Sequence, residues 1–263
     1  MRSLPLYAFV TLVFAFLFAP IVVVVLNSFN ADASLVHWGG FTTHWYSVAA
    51  QNQNVLGAVR TSLEIAAMTT VVATALGTAG AVGLRRAPRA LRAASDLTTF
   101  GRLIMPELVL AIGLLLVFRA ANFPLGITTI VIGHVSLFAA YAVLIVSARL
   151  AGRDPATDEA ARDLGATATR AFFRVTLPEI LPAVVASALL IFTFSMDNVV
   201  SSLFLSSGIN TLPLTLFSMI RLRVTPEVKA IATVVLVLTG ILLALFLALV
   251  AGRRAPINRR IGR

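Results

Sequence analysis

The sequence predicts an all-α integral membrane protein with six transmembrane helices. Hydrophobic residues make up 59% of its 263 residues and charged residues only 12%, and the mean hydropathy is +0.94. A soluble domain carries about a quarter charged residues. Apolar runs of about 18 residues or more recur along the chain, and each can cross a hydrocarbon core of about 30 Å as a helix. The alternating segments of about ten residues that form membrane barrels are absent from the sequence.

Hydropathy places the spans in order at about 4–26, 60–84, 103–120, 126–148, 181–205 and 228–250. The first run is too long for a signal-peptide core and has no convincing small-residue cleavage site after it. We therefore expect it to be retained as a span. Together the spans are expected to form a single transmembrane domain, 1–263, whose largest cytoplasmic loop is 149–180.

The basic residues are distributed unevenly between the two sides of the predicted membrane domain. Sixteen of the 21 Lys and Arg residues lie at the two termini and in the loops after the second and fourth spans. The other five lie on the opposite side: Arg60, Arg119, Arg221, Arg223 and Lys229. Because the excess of positive charge stays inside, both termini are predicted to be cytoplasmic. Arginines that flank spans also contact the lipid bilayer, which explains the net charge of +10 without nucleic-acid binding.

Two segments predicted to lie outside have unusual compositions. Residues 27–59 carry four aromatic side chains at roughly helical spacing: Trp38, Phe41, Trp45 and Tyr46. This spacing predicts a short interfacial helix, which either anchors the chain in the aromatic belt or contributes to an outer vestibule. The other segment, 206–227, is too short to span and is expected to lie along the outer face or dip into it.

The loop 149–180 has the pattern of a short helix held outside the membrane. Pro155 suits the first turn of a helix, because its missing N–H would be unpaired there, and Gly165 suits the C-cap. Between them lie acidic, small and apolar side chains: Asp158, Glu159, Ala160, Ala161, Asp163 and Leu164. Small residues permit close approach of another protein, and carboxylates can pair with its arginines. The pattern therefore predicts a docking helix.

The same loop contains a spaced motif: Glu159-Ala160-Ala161, Gly165 six positions after Glu159, and Val175-Thr176-Leu177-Pro178. The motif resembles the EAA loop of the permeases of binding-protein-dependent ABC importers, which usually have Ile in place of Val175. The resemblance implies the six-helix type I importer permease fold and a helix that fits a cleft on a separate ATPase subunit. In that cleft Ala160, Ala161 and Gly165 would be in close contact, with Glu159 and Asp163 as ionic anchors. The residues assigned to ATPase coupling are Asp158, Glu159, Ala160, Ala161, Asp163, Leu164 and Gly165.

The chain itself lacks the signature of an ATPase. A phosphate-binding loop needs glycines followed by a lysine, whereas the sole lysine, Lys229, follows Thr-Pro-Glu-Val. There is no cysteine, and the three histidines have no spacing typical of a metal site. We therefore expect a non-catalytic subunit without a metal or cofactor of its own, with ATP and Mg²⁺ bound by the partner ATPase.

Three acidic residues fall within the predicted spans: Glu64, Glu107 and Asp197. Ionisable residues inside a membrane are costly, and they are functional candidates for that reason. Asp197 belongs to a polar patch with Ser195 and Asn198 and has no basic partner in its own span. We therefore predict that these five residues lie on the path of a cationic substrate.

Two of the acids also have structural explanations. Glu64 can pair with Arg60, which lies one helical turn earlier. Glu107 can pair with Arg102, or it can cap a helix that Pro106 opens locally. The sequence leaves these alternatives open.

Further motifs extend over nearly the whole chain: Asn27-Ser-Phe-Asn30, Trp38-Gly-Gly-Phe41-Thr42, Trp45-Tyr46, Glu159-Ala-Ala-Arg-Asp-Leu-Gly-Ala166, Ser195-Met-Asp197, Leu212-Pro-Leu, Ser218-Met219 and Pro226-Glu227-Val228. With these motifs the chain resembles the permease subunits of spermidine/putrescine-type ABC importers, in particular the PotC-like subunit. Members of that family typically have an acid where this chain has Asn198, and Asp where it has Glu107. The resemblance implies import of polyamines across the bacterial inner membrane by alternating access.

The resemblance also implies partners. These are a homologous second permease, two ATPase subunits and an extracytoplasmic polyamine-binding protein. The residues expected to dock the binding protein are Trp38, Trp45, Tyr46, Arg221 and Arg223. We expect the two arginines to meet acidic residues of that protein.

Three alternatives remain at this point. The importer could carry another cargo, such as an amino acid, a metal complex or a sugar, and substrate-dependent ATPase stimulation would separate these. The buried acids could instead be proton sites of an ion-driven secondary transporter, but the EAA-like loop would then be unexplained. A membrane scaffold without transport activity would explain neither the acids nor the loop.

Overall fold

The structure, a computed structural model, describes residues 4–32, 37–85, 87–154, 156–222 and 225–252. Within these ranges the regular structure is helical, apart from one isolated β-bridge between Asn30 and Phe41. The helices are α1 (Leu4–Asn27), α2 (His44–Gln51), α3 (Gln53–Leu84), α4 (Arg89–Ile104), α5 (Glu107–Ala120), α6 (Ile127–Ala151), α7 (Ala156–Asp163), α8 (Ala168–Ala171), α9 (Leu177–Asp197), α10 (Val200–Leu205), α11 (Leu212–Leu222) and α12 (Pro226–Gly252). A π-helical turn, Phe172–Thr176, joins α8 to α9. The predicted all-α class is confirmed.

In the part of the chain that the structure describes, four helices are long and apolar enough to cross a membrane. They are Leu6–Asn27, Gln53–Leu84, Ile127–Ala151 and Ala168–Asp197, and they overlap the first, second, fourth and fifth predicted spans. The pair α4 and α5 supplies a fifth candidate, although it is bent by 108°. The sixth predicted span, 228–250, falls within α12. The six-span count and the cytoplasmic termini stay predictions.

The chain divides into two compact units. One contains the described residues of Met1–Ala58 and Thr215–Leu242, and the other contains those of Val59–Leu214 and Leu243–Arg263. The three acids predicted to lie within spans and the loop 149–180 all belong to the second unit. The single transmembrane domain, 1–263, stays a prediction.

The core of the second unit forms where α6 packs against α3 and α9. One face of α9 is buried at intervals of three or four residues: Ile180, Ala183, Ser187, Ile191 and Ser195. A Cβ atom on Gly77 of α3 would lie only 2.4 Å from the Cβ of Ala142 in α6. The helices α3 and α6 therefore approach each other as closely as a glycine permits.

The third predicted span, 103–120, is not one straight helix. Pro106 lacks an N–H and restricts the preceding residue to extended conformations. Met105 accordingly has a ψ of 129°, so α4 ends at Ile104 and α5 begins at Glu107 with only 14 residues. The sharp bend places Glu107 at the start of a new helix.

The fifth predicted span, 181–205, is also interrupted. The helix α9 ends at Asp197, and Asn198 is extended, with φ −75° and ψ 114°. The chain then resumes as the short helix α10. Both interruptions fall at polar residues that sequence analysis assigned to the substrate path.

Candidate functional site

A cavity of about 380 Å³ lies where α5, α6 and α9 meet. Its polar lining comes from Glu107, Asp197 and Asn198, and its aromatic lining comes from Phe138, Tyr141 and Phe194. The structure thus brings Glu107 and Asp197 to one cavity, although 90 positions separate them in the sequence. Two carboxylates and three aromatic rings form an environment suited to a cation.

The Glu107 carboxylate is held in place by the residues that follow α9. Its Oε1 accepts hydrogen bonds from Asn198 Nδ2 and, at 3.1 Å, from Ser201 Oγ. The Asn198 Oδ1 accepts in turn from the backbone N–H of Ser201 at 3.0 Å. Asn198 and Ser201 are both buried, so this network fixes the direction of the Glu107 side chain. At the first position of α5 the carboxylate is also stabilised by the helix dipole.

Asp197 has a different environment from Glu107. It lines the cavity at the last residue of α9, but it is exposed. Among the described residues its carboxylate has neither a hydrogen bond nor an ion pair. Asp197 is therefore the carboxylate that can accept a new partner without losing an old one.

The aromatic side of the cavity was missed in the sequence. The ring of Phe194 lies 5.8 Å from that of Phe138 and 5.2 Å from that of Tyr141, measured between centroids. The faces of such rings attract ammonium groups. One signal was available: Phe194 precedes Asp197 by three positions on one helix, which places the two side chains on the same face.

Next to the aromatic lining of the cavity, Ser195 is paired with His134. The His134 Nδ1 and the Ser195 Oγ share a hydrogen bond of 2.8 Å, and both residues are buried. The His134 ring also contacts Phe138, with 5.6 Å between centroids. The hydroxyl of Ser195 thus joins α9 to α6, and Ser195 is not among the residues that line the cavity. Its place on the substrate path stays a prediction.

The place of Glu64 on the substrate path also stays a prediction. Its carboxylate pairs with Arg60 Nε at 2.9 Å, one helical turn earlier on α3, and Glu64 does not line the cavity. The local i, i+4 pair, left open as an alternative, is the arrangement found. For Glu107, the described residues show contacts with Asn198 and Ser201 and no pair with Arg102.

The helix predicted in the loop 149–180 is present as α7, and Gly165 ends it as expected; its docking role stays a prediction. Gly165 has a φ of +83°, its N–H bonds to Arg162 O at 2.8 Å, and the Ala166 N–H bonds to Ala161 O at 3.0 Å. This is a Schellman motif, in which a glycine in the left-handed region closes the helix. Pro155, predicted to start the helix, lies outside the described residues.

The residues of α7 differ in exposure. Within α7, Glu159, Ala160, Arg162 and Asp163 are among the exposed residues, and just after it Leu164 is 89% exposed and Gly165 is exposed as well. Ala161 and Asp158 are half-buried. Nearby, Phe173 in the π-helical turn is 60% exposed and was not singled out in the sequence. The free surface therefore combines apolar and acidic groups.

Asp158 is engaged within the chain. Its Oδ1 accepts from Arg153 Nη1 at 2.7 Å and from Thr176 Oγ1 at 3.0 Å, and its Oδ2 lies 3.5 Å from Arg85 Nη1. Burial raises the pKa of the Asp158 carboxyl, but the hydrogen bonds from Arg153 and Thr176 outweigh burial and hold the pKa below its usual value. The carboxylate is thus charged at neutral pH and joins α7 to the neighbouring helix ends.

The aromatic segment 27–59, predicted to lie outside, has a shorter helix than its aromatic spacing predicts. The helix α2 begins only at His44, so Trp38 and Phe41 precede it in non-helical chain. Trp45 Nε1 donates to Asn30 O at 2.9 Å, and the Tyr46 hydroxyl shares a hydrogen bond of 2.6 Å with Ser28 Oγ. Trp45 and Tyr46 therefore fix α2 to the end of α1, whereas Trp38 is 59% exposed.

The second segment predicted to lie outside, 206–227, contains the short helix α11. The guanidinium of Arg221 lies over the ring of Phe217, 5.5 Å from its centroid, which is a cation–π contact. Arg223, the other arginine predicted to dock a binding protein, lies outside the described residues.

The sequence matches, over residues 1–255, the family described as binding-protein-dependent transport system inner membrane component. The chain belongs to this family. The resemblance inferred from the EAA-like loop is thereby confirmed, and the protein is a multi-pass component of the bacterial inner membrane. Membership favours a binding-protein-dependent system over the ion-driven secondary transporter.

Named relatives of this inner-membrane component cover most of its length. It is 39% identical over 237 residues to the putrescine transport system permease protein PotI of Escherichia coli (strain K12), with 87% of this chain and 84% of the relative covered. It is 37% identical over 232 residues to the spermidine/putrescine transport system permease protein PotC of the same strain, with 88% of each chain covered. The PotC protein of Haemophilus influenzae is 37% identical over 239 residues, covering 90% of this chain and 93% of the relative.

Solved structures share the fold. A bacterial ABC transporter involved in the import of the acidic polysaccharide alginate superimposes with a TM-score of 0.77 at 13% identity, over 97% of each chain. An amino acid ABC transporter superimposes with a TM-score of 0.61 at 19% identity, over 80% of this chain and 99% of the other. At these identities the likeness concerns the fold alone.

Proposed function

We propose that this inner-membrane component is the permease subunit of an ATP-driven importer of polyamines. The observation that carries the proposal is the cavity that Asp197 and Glu107 share with the rings of Phe138, Tyr141 and Phe194. A polyamine alternates ammonium groups with short methylene chains. Carboxylates suit the ammonium groups, and aromatic faces suit both the cations and the methylene groups.

The two carboxylates have unequal roles in this proposal. Asp197 has no hydrogen-bond partner among the described residues, so it is the first ammonium partner. Glu107 already accepts from Asn198 and Ser201, and it contributes a weaker second contact. The amide of Asn198 donates to Glu107, which a second carboxylate at position 198 would not do, since two like charges would then face each other.

The relatives support this cargo. PotI and PotC are named as permeases for putrescine and for spermidine/putrescine, and each covers more than four fifths of this chain. Neither name mentions an amino acid, a metal complex or a sugar. The proposal of a polyamine cargo is therefore supported both by the chemistry of the cavity and by the names of relatives with similar sequences.

The proposal includes a set of partners. A second, homologous permease completes the membrane path, two ATPase subunits bind ATP and Mg²⁺, and an extracytoplasmic binding protein delivers the polyamine. The outer surface offered to that binding protein includes the exposed Trp38 and Arg221. This chain has no catalytic residue in the scheme.

The exposed side of α7 is the surface proposed for ATPase docking. Leu164 fits an apolar pocket, Ala160 permits close approach, and Glu159 and Asp163 pair with basic residues. The neighbouring Phe173 adds a second apolar anchor. ATP binding closes the ATPase subunits, α7 moves with them, and the path opens outward so that the binding protein releases its polyamine toward Asp197.

The test is uptake by the complete complex reconstituted in proteoliposomes. Labelled putrescine and spermidine are offered with their binding protein, and butylamine, arginine and a neutral sugar serve as cargo controls. We expect uptake and ATPase stimulation with the polyamines, both dependent on ATP. Stimulation by arginine or the sugar instead would overturn the cargo, and uptake that collapses with a proton uncoupler at constant ATP would overturn the importer class.

A further inference from the structure

Arg153 joins the docking helix α7 to the beginning of α9. Its side chain is only 6% exposed, its Nη1 donates to Asp158 Oδ1 at 2.7 Å, and its Nε donates to the carboxylate of Glu179. Asp158 belongs to α7, and Glu179 belongs to the first turn of α9. We propose that Arg153 is a positioning residue that makes α7 and α9 move together. A displacement of α7 would then reach the cavity lined by Glu107 and Asp197, the cation cavity. This inference rests on the proposed function.

Other contacts reinforce the same connection. Thr176 Oγ1 donates to Asp158 at 3.0 Å, and Arg149 Nε donates to the backbone oxygen of Glu179 at 3.2 Å. Thr176 ends the π-helical turn, and Glu179 lies just beyond it. A π-helical turn is a rare form that occurs frequently at functional sites. The contacts of Asp158 and Arg153 bridge this turn and hold α9 to α7 across it.

The main chain that connects α7 to α9 is a less direct connection than the Arg153 side chain. It runs from Leu164 to Thr176 through a glycine turn, the short helix α8 and the π-helical turn. Much of it is exposed, including Leu164 at 89% and Phe173 at 60%. A segment of this kind can absorb a displacement, whereas the buried guanidinium connects α7 and α9 through a single side chain.

The helix α9 can carry the displacement onward. It has 21 residues, which at a rise of about 1.5 Å per residue makes it about 30 Å long. Glu179 lies in its first turn, and Asp197, which lines the cavity, is its last residue. Its buried face packs on α6 from Ile180 to Ser195, so a displacement of its first turn can be carried to Asp197.

Only arginine suits this position. Its guanidinium presents the Nε–H and an Nη–H in a fixed fork and can bind two carboxylates at once, whereas a lysine ammonium is a single point charge. Burial lowers the pKa of Arg153, but hydrogen bonds to Glu179 and Asp158 outweigh burial and raise it above its ordinary value. Arg153 and Asp158 therefore both remain charged at cytoplasmic pH.

The first experiment compares Arg153→Lys with Arg170→Lys in the complete reconstituted complex. Arg170 is an exposed arginine of the same loop and is the matched control. We expect Arg153→Lys to keep assembly and basal ATPase but to lower putrescine uptake per ATP hydrolysed by about tenfold, the scale of one lost charge-assisted hydrogen bond. Normal uptake per ATP in Arg153→Lys, or an equal loss in Arg170→Lys, would overturn the inference.

A rescue separates transmission from local folding. The chain contains no cysteine, so Asp158→Cys and Thr176→Cys can be combined with Arg153→Lys and bridged by a short bifunctional methanethiosulfonate reagent. Restored uptake per ATP on bridging, and its loss on reduction, would support the inference. A bridged protein that stays uncoupled would overturn it.

A second readout does not depend on the cargo. Spin labels at Arg162 on α7 and Val185 on α9, both exposed, report the distance between the two helices in the assembled complex. We expect a narrow distance distribution in the wild type and a broad one in Arg153→Lys. A narrow distribution in both would overturn the inference even if the complex carried no polyamine, so this result is distinct from a failure of the proposed function.

Discussion

Replacing Asp197 by Asn removes one charge from the cation cavity and little else. The side chain keeps its shape at the end of α9. Because the Asp197 carboxylate has no hydrogen-bond partner among the described residues, the substitution leaves no protein group unpaired. The substitution Asp197→Asn therefore tests the charge itself.

The magnitude follows from the exposure of this carboxylate. Asp197 is exposed on this chain, so an effective dielectric constant of about 20 applies, and an ammonium group about 4 Å away is attracted by about 4 kcal/mol. Desolvation offsets much of this attraction, and hydrogen bonds to charged groups contribute about 1.5–3 kcal/mol net. At about 1.4 kcal/mol for each factor of ten, Asp197→Asn should lower uptake by about 10- to 150-fold.

Glu107→Gln should have a smaller effect, at the lower end of that range. The Gln side chain keeps an oxygen that can accept from Asn198 and Ser201, so the local network persists. The negative charge that Glu107→Gln removes already accepts hydrogen bonds from two donors, Asn198 and Ser201. The expected order is therefore Asp197→Asn more severe than Glu107→Gln.

The assay is the initial rate of putrescine uptake into proteoliposomes that contain the complete complex, at a limiting concentration of loaded binding protein. Asp96→Asn, which removes an exposed acid of α4, is the matched control and should leave uptake within about twofold, as surface substitutions usually do. Subunit assembly and basal ATPase are measured on the same samples. Full uptake by Asp197→Asn would refute the assignment of the cavity, and a larger loss in Glu107→Gln would refute the unequal roles of the two carboxylates.

Three further predictions concern the helices around the cavity and the docking helix. Glu64→Gln removes an exposed ion pair with Arg60 and should leave putrescine uptake within about twofold. A loss as large as that of Asp197→Asn would place Glu64 on the substrate path. Gly77→Ala places a Cβ 2.4 Å from that of Ala142 and should lower the free energy of unfolding in detergent by about 1–3 kcal/mol. The control Gly113→Ala has nothing within 4 Å of the added Cβ and should not lower it. Equal effects of the two substitutions would contradict the close approach of α3 and α6. Because the pKa of Asp158 is lower in the folded protein than in the unfolded chain, its contribution to stability is complete above about pH 4 and is lost as the pH falls through the folded value. A spin label on α7 should therefore keep its mobility from pH 7 to about pH 4 and become mobile below it, and a change between pH 5 and 7 would contradict this reasoning.

Several features could be predicted from the sequence because they depend on local chemistry. A chain in hydrocarbon must satisfy its backbone hydrogen bonds within each span, so apolar runs of sufficient length form helices, as α1, α3, α6 and α9 do. Gly165 ends α7 because its missing Cβ permits a positive φ. The pairing of Glu64 with Arg60 could be foreseen from their i, i+4 spacing. Each of these inferences needs only neighbouring residues.

The cation cavity could be predicted only in part. The acids were found because charge is rare in a membrane span, but Phe138, Tyr141 and Phe194 resemble lipid-facing residues in a sequence this apolar. Ser195 was assigned to the path from its position beside Asp197, although its hydroxyl faces His134. Each residue of a helix turns about 100° from the one before it, so Ser195 and Asp197, which are two positions apart, point to nearly opposite faces.

What the sequence by itself determined is therefore the class of protein, most of its spans and the short helix α7 with its glycine end. What only the tertiary structure decided is which distant groups meet: Glu107 with Asn198, Asp197 with the aromatic rings, and Arg153 with both Asp158 and Glu179. In the sequence, Arg153 is one of the arginines that favour a cytoplasmic position for the loop 149–180. The physical reason is that hydropathy and charge near span ends act residue by residue, whereas a cavity or an ion-pair bridge exists only once helices far apart in the chain have packed together.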